Sequence, residues 1–392
     1  MMDGYESRPK HVSKLTPDEL KLEKELVRKK KAKVLQYIDQ TKHLSQGFRL
    51  VNQKDYHSEL ARLKSELTSK QFLSTEEGRV CKLMYDILTD DAHLVEYLDD
   101  DLKSYLTKPS TGKATLNTKS MSQAQRNQVA NTKLKRKQLF LMYREIIQAQ
   151  VELRTFAKTV ASAFNGELSE PPGAFGGIKS FSGALAKMTT RDRDTYVGEL
   201  KDCARMTVMF DSLTALHAAK LFICRTEEFR KVAHNQNALK DRYSFAGGKS
   251  TLAKYNKGAT GSGYRDIKFF LKLSNGQIAE LQLNIPGMLV AKAKEHIIYD
   301  ITRTTKDLSK EFKVSSQEVL DTVKRKMDKN WFSFIHDNVP KARDELKVAQ
   351  NMIHRLHQSG SLIVSPKEAE ALNKIGRELY AQGMNGRALL GH

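Results

Sequence analysis

The strictest pattern in the chain runs from Leu139 to Val160, where Leu139, Met142, Ile146, Ala149, Leu153, Phe156 and Val160 recur three and four residues apart. That spacing places them on one face of a long amphipathic helix. The seam breaks at Asn165-Gly166, so it reads as packing on a domain rather than as a coiled coil. Further upstream, Thr16-Pro17-Asp18-Glu19 is a capping box with proline at the first helical position. It predicts a helix running into Arg28-Lys29-Lys30-Lys31. Leu60, Leu63 and Leu67 mark a second helical stretch over about 54–107, which closes in Asp99-Asp100-Asp101.

Beyond Pro171 the period shortens to two. Ala204, Met206, Val208 and Phe210 alternate as a strand does, and so do Ile267, Phe269, Leu271 and Leu273. Ser274-Asn275-Gly276 follows, and then Ala279, Leu281 and Leu283. Helical stretches such as 212–222 lie between them. After Thr304 the chain is helical again, with Leu320, Val323, Met327 and Trp331 on one face. A second capping box, Ser365-Pro366-Lys367-Glu368, opens a helix that stops near Gly383. The fold class expected is α+β, a mixed-sheet core between two helical regions. The boundaries read as an N-terminal helical region over 1–107, a polar linker over 108–132, the core with its leading helix over 133–305, and a C-terminal helical region over 306–392.

The Asn-Gly turn fixes a register. A two-residue loop would set Glu280 against Leu271 and Gln282 against Phe269, mixing polar and apolar on one face. A three-residue loop, Ser274-Asn275-Gly276, pairs Leu271 with Ala279, Phe269 with Leu281 and Ile267 with Leu283, with Gly276 in the left-handed position. One face is then cleanly apolar. The other sets Lys268 across from Gln282 and Glu280 across from Phe270. A slip of one residue would exchange the faces, so the three-residue loop is expected.

Charge narrows the chemistry. The 392 residues allow two or three domains. They are 40% apolar and 29% charged, with a net charge of +20. A surface that basic attracts nucleotides, RNA, DNA or acidic membrane. Residues 108–137 hold Lys108, Lys113, Lys119, Arg126, Lys133, Lys135, Arg136 and Lys137 and no acidic residue. This run, like Arg28–Lys31, reads either as a patch for phosphates or as a solvated helix face. Cys81, Cys203 and Cys224 are too few for a disulfide framework and are not spaced as zinc ligands, which points to a reducing, cytosolic compartment. The opening MMDGYESRPKHV has no apolar core of the kind a secretory signal needs. No apolar run approaches the ~20 residues of a membrane span.

Ala246-Gly247-Gly248-Lys249-Ser250-Thr251, continuing through Lys254 and Lys257, ends like a P-loop. The glycine required five residues before Gly248 is Tyr243, so the match fails. A cationic, glycine-rich segment able to hold phosphates remains.

Taken in order, Ile178-Lys179-Ser180, Lys201-Asp202-Cys203-Ala204-Arg205, Lys240-Asp241-Arg242-Tyr243, Gly263-Tyr264-Arg265-Asp266-Ile267 and Ala279-Glu280-Leu281-Gln282 resemble the RelA/SpoT synthetase family. These are the alarmone pyrophosphokinases, which move pyrophosphate from ATP to a ribose 3′-hydroxyl. Ala293-Lys294-Glu295-His296 with Tyr299 is similar to the family's histidine-containing helix. The resemblance covers about 176–303, less than half the chain. It implies a nucleotidyltransferase-like core in which Asp202 and Glu280 hold Mg²⁺, consistent with the oxygen ligands a hard cation takes. It places Lys179 on ATP phosphates, Lys240 and Arg242 along the polyphosphate, and Tyr264 on the acceptor base. Glu280 orients or deprotonates the 3′-hydroxyl with Gln282 beside it, and Arg265, Lys268 and His296 complete the substrate-binding set.

The sequence also departs from the family. Gly177 stands where the family has arginine, Arg205 where it has glycine, Asp266 and Lys268 where it has serine and histidine, and Asn284 where arginine is frequent. ATP as donor is therefore better supported than GDP or GTP as acceptor. Adenine nucleotides and the 3′ end of tRNA remain alternative acceptors, and a degenerate nucleotide- or RNA-binding module is the alternative to an enzyme. The helical flanks could cap the site or dock a protein partner. His336-Asp337 lies after the core, so no hydrolase half is expected.

Overall fold

The structure, a computed structural model, describes residues 56–385 except 99, 108–111, 172–176, 192–196, 198–199, 228, 230–237, 244–257, 304 and 306. The capping box at Thr16, the run Arg28–Lys31 and the segment 246–257 lie outside the described residues.

The stretch expected to be helical over 54–107 is broken. Helices α1 (Tyr56–Glu66) and α2 (Glu76–Thr89) lead it, α2 being capped by Thr75, whose side chain accepts from the Gly78 amide. Leu63 is buried, while Leu60 and Leu67 pack half-buried on the core. Tight turns over Val95–Tyr97 and Asp100–Tyr105 follow. Strand β1 (Leu106–Thr107) then pairs antiparallel with β2 (Thr115–Leu116).

Helix α3 (Gln123–Ala163) begins inside the segment expected as a linker. Ser122 and Gln125 form a reciprocal capping box that the polar composition concealed. Lys133, Lys135, Arg136 and Lys137 are held by the protein's own groups, whereas Lys113, Lys119 and Arg126 are exposed. Lys135 and Arg136 are 8% and 6% exposed. The Lys135 ammonium donates to the Met188 carbonyl and the Arg136 guanidinium to the Ile87 carbonyl, each at 2.8 Å. Lys133 bonds the Asp91 carboxylate at 3.0 Å, and Lys137 lies 4.9 Å from the centre of the Tyr56 ring.

The core sheet is built from β3 (Gly166–Ser169), β4 (Ala204–Phe210), β5 (Leu239–Asp241), β6 (Ile267–Lys272) and β7 (Ile278–Asn284). Its order is β3-β4-β7-β6-β5. β4 and β7 are parallel and every other pair is antiparallel, giving the mixed sheet of an α+β fold. The β6–β7 hairpin has the expected register, with Ile267 opposite Leu283, Phe269 opposite Leu281 and Leu271 opposite Ala279. Gly276 sits at φ +87°. Helix α3 fastens the turn. Glu152 accepts from the Ser274 amide and hydroxyl, and the Gln277 amide group donates to Glu145 at 2.6 Å.

Helix α4 (Leu213–Ile223), capped by Ser212, follows β4, and α5 (Pro286–Thr302) follows β7. The C-terminal region comprises α6 (Gln317–Lys326), α7 (Lys329–Asn338), α8 (Arg343–Ser359) and α9 (Pro366–Met384). It also holds an unexpected antiparallel pair, β8 (Phe312–Val314) with β9 (Leu362–Val364). Leu320, Val323, Met327 and Trp331 are all buried, and the Ser365–Glu368 capping box forms. One apolar cluster runs from Leu63 to Tyr380, so the C-terminal helices share the core of the sheet. α9 lies so close to α5 that a Cβ on Gly287 would stand 2.6 Å from the Gly383 carbonyl oxygen. Among the described residues no helix is long and apolar enough to cross a membrane.

Candidate functional site

Strand alternation divides the sheet into two chemistries. Phe269, Leu281 and Met206 face the apolar side and are buried. On the other side the register sets Lys240, Lys268, Gln282 and Thr207 in one row across β5, β6, β7 and β4. Phe270, Glu280 and Arg205 form the next row.

Glu280 is held from two directions. The Gln282 side-chain amide donates to its Oε1, and the Lys268 ammonium lies 3.3 and 3.2 Å from its two oxygens. Lys268 Nζ is also 3.7 Å from Asp266 Oδ2. Burial alone would favour neutral Lys268, but the carboxylates of Glu280 and Asp266 outweigh it and raise its pKa. Asp266 is 0% exposed, and the Arg242 guanidinium bonds its Oδ1. Lys240 is pushed the other way, first by burial and then by Arg242 and Lys268. Its ammonium and that of Lys201 each lie 5.8 Å from the centre of the Phe270 ring.

A second cluster precedes β4. Lys179 Nζ is 2.7 Å from Asp202 Oδ2, and Lys187 Nζ is 3.2 Å from Oδ1. Burial would raise the Asp202 pKa, but the two ammonium groups prevail and hold it down at about 2. The Lys179 amide donates to the Cys203 carbonyl, which ties its loop to this strand. Arg205 Nε donates to the Gly177 carbonyl at 3.0 Å, joining the two clusters through the register of Arg205 with Glu280.

Tyr264 does not offer a face to a base. It is 9% exposed, its ring centre is 5.5 Å from that of Tyr380 on α9, and Lys292 Nζ sits 5.2 Å from it. Asn284 donates to its hydroxyl at 3.3 Å and accepts from the Tyr243 hydroxyl at 2.5 Å. In this packing α9 covers the ring for which a stacking role is expected. Arg265 donates to the Arg242 carbonyl, a backbone brace. His296, 51% exposed at its side chain, bonds Asp300 on the surface of α5.

The structure therefore gathers Lys240, Arg242, Lys268, Glu280 and Gln282 on one face, with Lys179 and Asp202 at the start of β4. It adds Lys187, Lys201, Asp266 and Lys292, to which the resemblance assigns no role. Asp266 alone had a signal, since it precedes Lys268 by two and shares its face. Among the described residues no group of three or more His, Cys, Asp and Glu side chains could share a metal ion.

No protein-family model matches the sequence. No curated protein matches it. Among solved structures, a complex between the Type VI effector Tas1 and its immunity protein is similar over 64% of this chain and 97% of that one, at 18% identity and a TM-score of 0.30. So slight a likeness fixes neither fold nor function.

Proposed function

We propose that the chain is a pyrophosphokinase that moves pyrophosphate from ATP to the ribose 3′-hydroxyl of an acceptor nucleotide. One observation carries the reading. Lysine-held carboxylates, Glu280 on β7 and Asp202 just ahead of its parallel neighbour β4, lie in a field of excess positive charge, with Lys240 and Arg242 alongside. Phosphoryl-type transfer needs little covalent help and works by positioning and by neutralising charge.

In this scheme Lys179 and Lys187 turn from Asp202 to the incoming phosphates, and Lys240 and Arg242 line the polyphosphate. Glu280, fixed by Gln282, takes the proton of the 3′-hydroxyl. The 3′-oxygen forms a bond to the β-phosphorus of ATP, the bond from that phosphorus to the α–β bridging oxygen breaks, and AMP leaves with that oxygen. Asp202, ionised at neutral pH, and Glu280 fit the donor set of Mg²⁺, which takes one or two carboxylates together with substrate phosphates. When bound, the ion supplies further neutralisation of the phosphate charge.

The binding-module reading is favoured by the covered Tyr264 ring. The tRNA reading draws less from Lys135 and Arg136, whose side chains are buried against backbone carbonyls.

The test is incubation with labelled ATP and Mg²⁺ and, separately, GDP, GTP, ADP, ATP or deacylated tRNA. AMP release matched by a 3′-pyrophosphorylated nucleotide is expected. AMP release with no modified acceptor, or no AMP at all, overturns the transfer reading.

A further inference from the structure

Phe270 is a buried aromatic residue that the apolar core does not use. It is 7% exposed and belongs to neither apolar cluster. Among the described residues, every other buried apolar side chain larger than alanine belongs to one of them. The register sets Phe270 on the polar face of the sheet, directly opposite Glu280. Lys201 and Lys240 each bring an ammonium group to 5.8 Å from its ring centre, and among the described residues neither is ion-paired. That distance is close to the ~6 Å limit of a cation–π contact, so both lysines rest on the ring loosely.

We propose that Phe270 is the platform on which the base of the acceptor nucleotide stacks, with Lys201 and Lys240 leaving the ring for phosphate when that nucleotide binds. The position rests on the role read for Glu280 in the transfer reaction. Side chains directly opposite on antiparallel neighbours stand about 4.5–5.5 Å apart at Cβ. A ribose bridges such a gap between its 3′-hydroxyl and its base. A nucleotide whose 3′-hydroxyl meets Glu280 therefore carries its base over a neighbour in the same row, Phe270 on β6 or Arg205 on β4. Arg205 is engaged by the Gly177 carbonyl, and the Tyr264 ring is covered by Tyr380. Phe270 is left, with phosphate-seeking cations already beside it. Stacking on an aromatic ring accepts any base, so this platform holds the nucleotide without choosing between guanine and adenine.

The experiment measures binding of GDP, ADP and inorganic tripolyphosphate by calorimetry, with no turnover involved. Phe270→Leu keeps an apolar side chain and removes the ring. It is expected to weaken GDP and ADP about fivefold or more, the lower end of what a base–aromatic stack contributes, and to leave tripolyphosphate at the parent level. Phe270→Trp is expected to bind both nucleotides and to add an emission, above that of Trp331, which GDP and ADP quench and tripolyphosphate does not. Parent-like nucleotide binding by Phe270→Leu, an equal loss for tripolyphosphate, or a Phe270→Trp emission that no nucleotide alters overturns the proposal. A parent protein that binds neither nucleotide overturns it as well. AMP release is read separately. Transfer that persists with no ring effect removes the platform alone, and a ring effect without transfer removes the pyrophosphokinase reading alone.

Discussion

Arg205 Nε donates to the carbonyl of Gly177 at 3.0 Å. Gly177 has φ +131°, and a Cβ there would stand 2.4 Å from the Arg205 carbonyl oxygen. The guanidinium is thus carried by the strand, because the loop has no room for a side chain.

Gly177→Ala is therefore expected to destabilise the protein by roughly 1–3 kcal/mol from the backbone conformation alone, with the contact adding to it. The clash is with backbone, so the exchanged pair Gly177→Arg with Arg205→Gly is expected to be no better. Urea denaturation checks both. Parent-like stability in either variant would show that the loop can move aside.

Asp202 gives the stability an acid limb. Its folded pKa is depressed, so its stabilising share is present above its unfolded pKa, near 4, and is lost as pH falls through the folded value of about 2. The gap between those two values is worth on the order of 2 kcal/mol. Asp202→Asn is expected to flatten stability over that window and to abolish AMP release at pH 7 without unfolding the chain. An unchanged acid limb in the variant would assign the limb to other carboxylates.

Arg136→Ala is expected to cost roughly 1–3 kcal/mol, because it strips the buried Ile87 carbonyl of its donor and weakens the hold on Asp91. Lys135→Ala does the same to the Met188 carbonyl. Thermal melts of the single variants measure this. Melting temperatures equal to the parent would return these residues to the role of a free cationic surface.

Tyr264→Ala is expected to cost about 3–5 kcal/mol of stability, the range for emptying a buried aromatic site. Tyr264→Phe, which keeps the ring and loses the hydroxyl bond from Asn284, is expected to cost about 1 kcal/mol. Denaturation curves together with nucleotide titrations decide the matter. A stable Tyr264→Ala protein with selectively weakened acceptor binding would mean that the ring is reached by substrate after all.

The sheet was legible where burial makes alternation strict. The pairs from Ile267–Leu283 to Leu271–Ala279 follow from the demand for one apolar face, and with them came Lys268, Glu280 and Gln282. The start of α3 was hidden because its first turns are polar and rest on a cap and a few deep contacts. Lys187 begins a widened helical turn (Lys187–Arg191), to which the ordinary helical period is blind. Lys292 reaches the site only because α5 folds over Tyr264, a tertiary event that no local spacing announces. The covering of Tyr264 by Tyr380 joins residues more than a hundred positions apart.

The close approach of Gly287 and Gly383 bears on the order of events at the ribosome. Synthesis proceeds from the N-terminus, so all five strands of the sheet leave the exit tunnel before residues 366–384 have been made. Until then Tyr264 and Glu295 lack the Tyr380 partner that shields them, and α5 lacks the helix laid against it. Completion of the core is thereby postponed until residues 366–384 have been made. A nascent chain stalled before Pro366 would present this unroofed face to chaperones and proteases.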